Sequence, residues 1–436
     1  MKLITYETVL KRLCIINVVG LTPSLLKHAP SCSSVGTAVP WESPVPAVTC
    51  TSQATLLTGK PPSEHGVVGN GWYFRDTQEI RFWQQANSLI QSDKFYDGID
   101  TAKMFWWFNQ SSGCRYSVTP KPHYGCDGSK VFDVLDRSGC DLVSRLGAFP
   151  FFSFWGPNAG LPSSEWIADA TAVVMREKKP SLTLAYLPHL DYDYQRKPIQ
   201  DPARVAEVDQ CVEKIIAAAN DIDAQVVVVS EYGLTPVERP VHINRVLRSA
   251  GYLNIRSGPF GERLIPGECG AFAVADHQLA HVYVKQTSEK QNVRRTLEEC
   301  PGIAAVVDPA ELQLDHDRSG DLIALAETDS WFTYYYWMDD VNAPDFAKCV
   351  DIHRKPGYDP CELFMDSKLN AAFALAKKKL GFRYRMNVIP LDASLVKGSH
   401  GLRQQGDAGP LVIGPGSPPD RMVDFRGYVE GLLQKS

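Results

Sequence analysis

The chain has 436 residues, enough to bury the core of one large α/β domain or of two ordinary domains. Its 44% hydrophobic and 22% charged residues are typical of a globular protein. A net charge of −5 argues against a nucleic-acid coat and against a polybasic membrane anchor. No apolar run reaches the roughly 18 residues that a membrane-spanning helix requires. We therefore expect neither a nucleic-acid polymer nor a membrane as partner, and the oligomeric state stays open.

The start of the chain lacks the apolar core of a signal peptide, because a buried-type strand over 13–20 begins almost at once. We therefore expect a cytoplasmic protein. The eleven cysteines show neither CxxC pairs nor zinc-finger spacing, so we expect reduced thiols in the core.

Strongly apolar runs alternate with helical patterns along the first half of the chain. After the strand at 13–20, further buried strands are predicted over 182–187 and 224–230, and the helix between them spans 202–220. This alternation is typical of an α/β fold with a mostly parallel central sheet flanked by helices. Asp191 and Glu231 follow the carboxyl ends of two of these strands, where open α/β sheets bind ligands.

The segment 245–340 departs from this alternation. It holds a short strand over 280–284, a helix over 290–300 and another strand over 303–307. We interpret it as a small α+β cap inserted into the main domain. The predicted domains are therefore a core of 1–244 and 341–436 with a cap of 245–340.

The most informative segment is 45–59, which begins extended at a proline and turns into a helix. A hydroxyl at the start of this helix lies at the positive end of the helix dipole, where anions bind. A threonine hydroxyl is a weak nucleophile unless a base or a metal removes its proton. Alternatively, Thr49, Thr51 and Ser52 only cap the helix.

The wider segment resembles the type I phosphodiesterase and nucleotide pyrophosphatase family of the alkaline phosphatase superfamily. The resemblance lies in Pro46-x-x-Thr49, in Thr-Leu-Leu-Thr-Gly at 55–59 and in Pro-Ser-Glu-His-Gly-Val-Val-Gly-Asn at 62–70. It implies an alkaline-phosphatase-like fold, with Thr49 as the catalytic nucleophile. It also implies that His65 and Asn70 shape the loop beneath the phosphate pocket.

The family's metal-ligand positions are only partly retained. By resemblance, Asp191 and His400 keep the family's residues, whereas Asn17 and Glu231 each replace an aspartate and Gln195 and Tyr232 each replace a histidine. The resemblance implies one or two divalent ions, zinc, magnesium or manganese, held by this set. Exchange of imidazole nitrogen for oxygen favours magnesium, manganese or calcium over zinc.

Two alternatives remain open at these positions. In one, catalysis persists, either with one firmly held metal or with a relocated set of ligands that includes His353. The candidates for relocation are His189, Asp193, His242, Asp276, His277, His281, Asp351 and His353. In the other, the site has decayed into a non-catalytic phosphoester-binding protein.

The substrate side is predicted to include Asn70, Trp72 and Arg75. Aromatic rings beside an arginine could stack a base and hold a phosphate, although aromatic residues can equally fill the core. The family resemblance implies a small phosphorylated metabolite or nucleotide as substrate. The predicted function is metal-dependent cleavage of a phosphodiester or nucleotide-type pyrophosphate bond through a covalent threonyl intermediate. A phosphomonoesterase or a phosphonate hydrolase on the same fold is the enzymatic alternative.

Overall fold

The computed structural model describes residues 11–124, 130–197, 201–382 and 385–434. The strands of these residues are β1 (Arg12–Val18), β2 (Thr37–Pro40), β3 (Gly71–Phe74), β4 (Glu79–Phe82), β5 (Thr101–Met104), β6 (Tyr116–Tyr124), β7 (Lys130–Asp136), β8 (Leu182–Leu187), β9 (Ala224–Val229), β10 (Thr235–Pro236), β11 (Arg239–Val241), β12 (Ile255–Gly258), β13 (Gly261–Leu264), β14 (Ala271–Asp276), β15 (Leu279–Val284), β16 (Ile303–Val307), β17 (Leu322–Ala326), β18 (Ser330–Phe332), β19 (Gly398–Ser399) and β20 (Leu411–Gly414).

The α-helices of the same residues are α1 (Pro30–Ser33), α2 (Thr49–Thr58), α3 (Pro62–His65), α4 (Leu142–Leu146), α5 (Phe151–Phe154), α6 (Leu161–Lys178), α7 (His189–Arg196), α8 (Pro202–Asn220), α9 (Ile243–Ser249), α10 (Lys290–Glu298), α11 (Lys368–Lys379) and α12 (Phe425–Leu433).

The central sheet has the strand order β2-β20-β9-β1-β8-β5-β6-β7 in the described part of the chain. From β9 to β6 neighbouring strands run parallel, and the remaining strands at both edges pair antiparallel. The strands β1 and β8 are buried almost throughout, as expected for a sheet covered on both faces. The predicted mostly parallel sheet flanked by helices is therefore confirmed.

The predicted helix 202–220 is confirmed as α8. Its buried face carries Val205, Val208, Val212 and Ile215, at the helical spacing of an amphipathic stripe. The side chain of Asp201 caps its first turn by accepting the backbone N–H of Ala203. Because α8 connects β8 to the parallel strand β9 across the face of β1, the carboxyl ends of these three strands meet at one edge.

The insert contains a second, four-stranded antiparallel sheet of order β14-β15-β17-β16. The predicted strands at 280–284 and 303–307 are confirmed as β15 and β16, and the predicted helix as α10. A second hydrophobic cluster surrounds this sheet and also takes up Val241, Phe346 and Val388, which lie outside 245–340. The exact bounds of the predicted cap stay a prediction.

Within the described residues, no helix combines the length and the apolar composition needed to cross a membrane. The cysteines in the described ranges form no disulfide. Cys126 lies outside these ranges.

Candidate active site

The helix α2 starts with Thr49 at the edge of the sheet. Val48 is its N-cap residue and offers no side-chain cap, and the side chain of Asn70 accepts the first-turn N–H of Cys50. Thr49 is buried and its hydroxyl forms a 3.0 Å hydrogen bond with the hydroxyl of Tyr232. Gly59 ends the helix in the left-handed region at φ 67°, which glycine adopts without strain. The geometry gives no support to the alternative that Thr49 only caps the helix.

Asn70 ties the start of α2 to the insert. Its side-chain oxygen accepts the backbone N–H of Cys50 at 3.0 Å, while its own backbone and side-chain N–H groups donate to the carboxylate of Asp276 at 2.7 and 3.1 Å. His65 accepts the N–H of Val67 at Nδ1, so Nε2 carries the proton and donates to Thr55. Burial lowers the pKa of His65 to about 3. Both residues therefore hold the loop that follows α2.

Glu231 is completely buried beneath Thr49. Its Oε1 accepts the side-chain amides of Asn17 at 2.5 Å and of Gln53 at 2.7 Å. Burial raises the pKa of Glu231 to about 8, and the hydrogen bonds from Gln53, Asn17 and Thr49 oppose that rise. The carboxyl is thus held by neutral donors.

Asp191, Gln195 and His400 form the second half of the site. The amide of Gln195 donates to Asp191 Oδ2 at 2.7 Å, and His400 Nε2 lies 3.5 Å from Asp191 Oδ1. Because His400 Nδ1 donates to the carbonyl oxygen of Ala47 at 2.7 Å, Nε2 of the neutral ring faces the carboxylate with a lone pair. Burial raises the pKa of Asp191 to about 7. This rise favours a proton between Asp191 Oδ1 and His400 Nε2.

Four rings stack in one column beside Thr49. The ring centroids of Tyr232 and His400 are 3.6 Å apart, those of His400 and His277 are 3.7 Å apart, and those of His277 and Tyr358 are 3.6 Å apart. His277 donates from Nδ1 to the Asp276 carboxylate at 2.8 Å, so its buried Nε2 is an acceptor without a hydrogen-bond partner. Burial lowers the pKa of both histidines well below the usual value, so both rings are neutral.

The described residues contain no group of three or more His, Cys, Asp or Glu side chains that could hold a metal ion. Around Glu231, amide N–H groups occupy Oε1, which leaves Glu231 Oε2 and Asn17 Oδ1 as buried acceptors without a hydrogen-bond partner. Around Asp191, the donors are one carboxylate oxygen and one imidazole nitrogen, short of the three protein ligands usual at catalytic zinc. These residues do not fit the two-ion centre that the family resemblance implies.

The candidates for a relocated ligand set are not brought together. Most of them have other hydrogen-bond or ion-pair partners, namely Thr333 for His242, Arg196 for Asp193, Val68 for His281, Arg354 for Asp351 and Asn70 for Asp276. His189 is buried within α7. His277 and His353 are the members of this set that line the cavity described next.

A cavity of about 410 Å³ opens onto Thr49. Of the sequence-predicted residues, it is lined by Thr49, Asp191, Tyr232, His353 and His400, whereas Asn17, Gln195 and Glu231 lie behind this layer. Aromatic side chains form most of its remaining wall, among them Trp83, Trp107, Phe151, Phe154, Trp155, Tyr186, Tyr192 and Tyr358. Among the described lining residues, Lys121 is the one lysine or arginine.

Trp72 and Arg75 do not line this cavity. Trp72 is buried in the core, with the guanidinium of Arg318 5.0 Å above its ring. Arg75 donates to the carbonyl oxygens of Asp317 and Ser319 at 3.1 Å each. Their placement gives no support to the predicted contact with substrate, which stays a prediction, and the same holds for Asn70.

The sequence did not single out Gln53 or the ring of Tyr358, whereas Trp83 and Trp107 belong to the aromatic segments considered for stacking a base. Gln53 was open to recognition, because it lies four residues after Thr49 and therefore on the same face of α2. The three rings come from separate segments, and no local pattern connects them. Trp83 lies 5.0 Å from Trp107 and 6.0 Å from Tyr358 between ring centroids.

Solved structures with a similar fold cover nearly the whole chain. Phosphonoacetate hydrolase from Sinorhizobium meliloti, in complex with phosphonoformate, matches with a TM-score of 0.58 and 14% identity, over 97% of this chain and 96% of the other. Human ectonucleotide pyrophosphatase/phosphodiesterase 5 matches with a TM-score of 0.57 and 12% identity, over 97% and 95%. An inactive threonine-to-alanine variant of the murine protein, in complex with AMP, matches with a TM-score of 0.54 and 12% identity over the same shares.

These likenesses establish an alkaline-phosphatase-like fold. The family model of type I phosphodiesterase/nucleotide pyrophosphatase matches residues 13–359, which is most of the chain. The match includes the helix of Thr49 and the carboxyl ends of β1, β8 and β9. The chain therefore belongs to the type I phosphodiesterase and nucleotide pyrophosphatase family of hydrolytic enzymes.

Proposed function

We propose that the protein hydrolyses a phosphodiester or nucleotide-type pyrophosphate bond in a small phosphorylated metabolite or nucleotide, with Thr49 as the nucleophile. The observation that carries this proposal is the position of the Thr49 hydroxyl, at the first residue of α2 and on the wall of an aromatic cavity. The positive end of the helix dipole at this point stabilises negative charge on the phosphoryl oxygens.

In the proposed first step, Thr49 Oγ1 bonds to phosphorus while the bond to the leaving oxygen breaks. Tyr232 orients the hydroxyl through their 3.0 Å hydrogen bond. We assign Glu231 as the acceptor of the Thr49 proton, since Thr49 lowers the pKa of this carboxyl and its buried Oε2 has no hydrogen-bond partner. The product of this step is a covalent threonyl phosphoester, with the proton on Glu231.

In the second step, a water oxygen bonds to phosphorus while the bond from phosphorus to Thr49 Oγ1 breaks, and Glu231 returns its proton to Oγ1. His277 supports this step, because Asp276 fixes its tautomer and leaves Nε2 as an acceptor on the cavity wall. We assign His277 Nε2 as the group that accepts a proton from this water.

The cavity also suggests the shape of the substrate. Its rings favour a planar or apolar group joined to the phosphate, and Lys121 supplies a positive charge. Small phosphorylated ligands bind to similar folds, as the complexes of phosphonoformate with the S. meliloti enzyme and of AMP with the murine protein record. These complexes support a nucleotide or a small phosphorylated metabolite as the substrate.

The nucleophile is tested by the Thr49→Ala variant. We expect turnover of bis-p-nitrophenyl phosphate to fall by at least about 10³-fold, the scale on which removal of a nucleophile acts, with unchanged thermal stability. Thr49→Ser, which retains the hydroxyl, is the matched control and should keep measurable turnover. Wild-type rates in Thr49→Ala would rule out Thr49 as the nucleophile.

The dependence on divalent ions stays a prediction, because the donors around Asp191 and His400 fall short of a complete metal site. Turnover is measured after chelation and again with Mg²⁺, Mn²⁺, Ca²⁺ or Zn²⁺, alongside the metal content of the protein. Activation by one ion at one equivalent would support an ion beside Asp191. Absence of turnover under every condition, with AMP still bound, would favour the non-catalytic phosphoester-binding alternative.

A second candidate function is phosphonate hydrolysis, favoured by the similarity of the fold to the S. meliloti enzyme over nearly the full length of both chains. Release of inorganic phosphate from phosphonoacetate, in the absence of diester cleavage, would select it. The same Thr49→Ala variant tests the nucleophile in both cases.

A further inference from the structure

The half of the site around Thr49 contains a buried carboxyl group with an unusual set of partners. A carboxylate removed from water requires a cation or several hydrogen-bond donors to offset its lost hydration. Glu231 has no exposed surface, and two neutral amides, Asn17 and Gln53, supply its donors within 2.7 Å. These amides occupy the space in which a cation would contact Oε1.

The orientation of the Gln53 amide follows from its other partner. Its Oε1 accepts the backbone N–H of Trp107 at 2.8 Å, and a backbone N–H can only donate. The amide nitrogen must therefore be the atom that faces Glu231. For Asn17 the reverse orientation would bring two acceptor oxygens to 2.5 Å, so its nitrogen also faces Glu231.

Tyr232 completes this half. Its ring lies parallel to that of His400 at 3.6 Å, with an interplanar angle of 8°, and its hydroxyl reaches Thr49. A phenol hydroxyl that is hydrogen-bonded to a neutral hydroxyl is a poor metal ligand, and the Tyr232 hydroxyl is 3.0 Å from that of Thr49. Glu231 Oε2 is then the one carboxylate oxygen of this half without an amide donor.

We propose that the Thr49 half of this centre excludes divalent ions, and that Asn17 and Gln53 hold Glu231 in place of a cation while Tyr232 positions Thr49. This proposal rests on the same site as the proposed function, but it is tested by measurements of metal content and thermal stability and not by turnover. It therefore stands or fails independently of whether diester turnover is found.

The first experiment compares the metal content of full-length wild type, Glu231→Gln and His400→Gln after exposure to excess Zn²⁺ or Mn²⁺ and gel filtration. We expect wild type to retain at most one equivalent of the metal. Glu231→Gln should retain the same amount as wild type, and His400→Gln should lose any ion that wild type binds. Two equivalents in wild type, or an ion lost on Glu231→Gln but kept in His400→Gln, would overturn the proposal.

The second experiment restores the family's residue types at two of the three replaced positions of this half with the Asn17→Asp/Tyr232→His double variant. We expect it to hold one more equivalent of zinc than wild type, and zinc to raise its melting temperature by more than that of wild type. Asn17→Leu, which has a similar volume but no ligand atom, is the matched control and should show no zinc response. Equal zinc content in the double variant and wild type would contradict the exclusion of the ion by these residues.

Asn17→Asp alone is the variant to use if the double variant does not fold. Without metal it brings a second carboxylate beside buried Glu231, so its melting temperature should fall below that of Asn17→Leu. Added zinc should recover the difference. If Asn17→Asp is as stable as wild type in a chelating buffer, the amide of Asn17 is not what holds Glu231.

Discussion

Single residues decide the charge of this site. Near the carboxyl end of β1 and in α7, Asn17 and Gln195 place amide donors against Glu231 and Asp191. A change from a charged to a neutral side chain leaves the fold intact, because the amide satisfies the same buried partner. The same chain also buries a lysine, Lys103, in β5.

Lys103 is fully buried in β5, where its ammonium group donates to the carbonyl oxygen of Phe108 at 3.0 Å and lies over the ring of Tyr96. Burial lowers its pKa from 10.5 to about 8. At pH values between about 8 and 10.5, Lys103 is protonated in the unfolded chain and deprotonated in the folded chain. The contribution of Lys103 to stability therefore rises as the pH increases from about 8 to 10.5, and its full cost is present below about pH 8.

We expect the Lys103→Met variant to lack this pH dependence. At about pH 8 the variant should have a higher free energy of unfolding than wild type. This difference should shrink by on the order of 3 kcal/mol as the pH rises to 10.5. The comparison requires urea unfolding of both proteins at several pH values in the window. Parallel curves for the two proteins would show that Lys103 does not titrate as the burial predicts.

At the scale of elements, three parallel strands and one helix set the positions of the active groups. Residue Asn17 of β1 lies opposite Tyr186 of β8 and Val229 of β9. The residues that follow β8 and β9 therefore meet the start of α2 at one edge of the sheet. Gly233 directly follows Tyr232 and packs closely against the loop at 404–409.

A side chain at Gly233 would meet the carbonyl oxygen of Ala408 at 1.9 Å. We expect Gly233→Ala to lower the free energy of unfolding by about 1–3 kcal/mol, as overpacking does, and to reduce turnover because Tyr232 is displaced. Gly427→Ala is the matched control. It lies within α12 with nothing within 4 Å of the added atom and should stabilise the protein by about 0.5–1 kcal/mol. Urea unfolding and diester turnover of both variants provide the measurement, and equal stability of the two would contradict the clash.

At the scale of the whole molecule, the insert contributes directly to the site. Asp276 ends β14 of the second sheet, yet it accepts both N–H groups of Asn70 and orients His277 on the cavity wall. The two sheets are thus linked by buried hydrogen bonds next to the nucleophile.

Removal of the Asp276 carboxylate should therefore affect both stability and catalysis. We expect Asp276→Ala to lower the free energy of unfolding by about 3 kcal/mol, because buried N–H groups lose their acceptor. Asp276→Asn retains one acceptor oxygen and should lose less. Chemical denaturation of the two variants and their turnover at saturating substrate are the measurements. An alanine variant as stable as wild type would show that the link carries little energy.

The sequence by itself determined the family, the α/β alternation, the strands β1, β8 and β9 and the helix α8. The replaced positions at Asn17, Gln195, Glu231 and Tyr232 stay a prediction. Hydrophobic periodicity and motif spacing are local, so a single chain reveals them. Only the tertiary structure decided that Gln53 and Asn17 share one oxygen of Glu231, that His277 enters from the insert, and that Trp72 and Arg75 lie away from the cavity. These outcomes depend on distances between residues far apart in the chain, which are set when the two sheets pack and buried polar groups find partners.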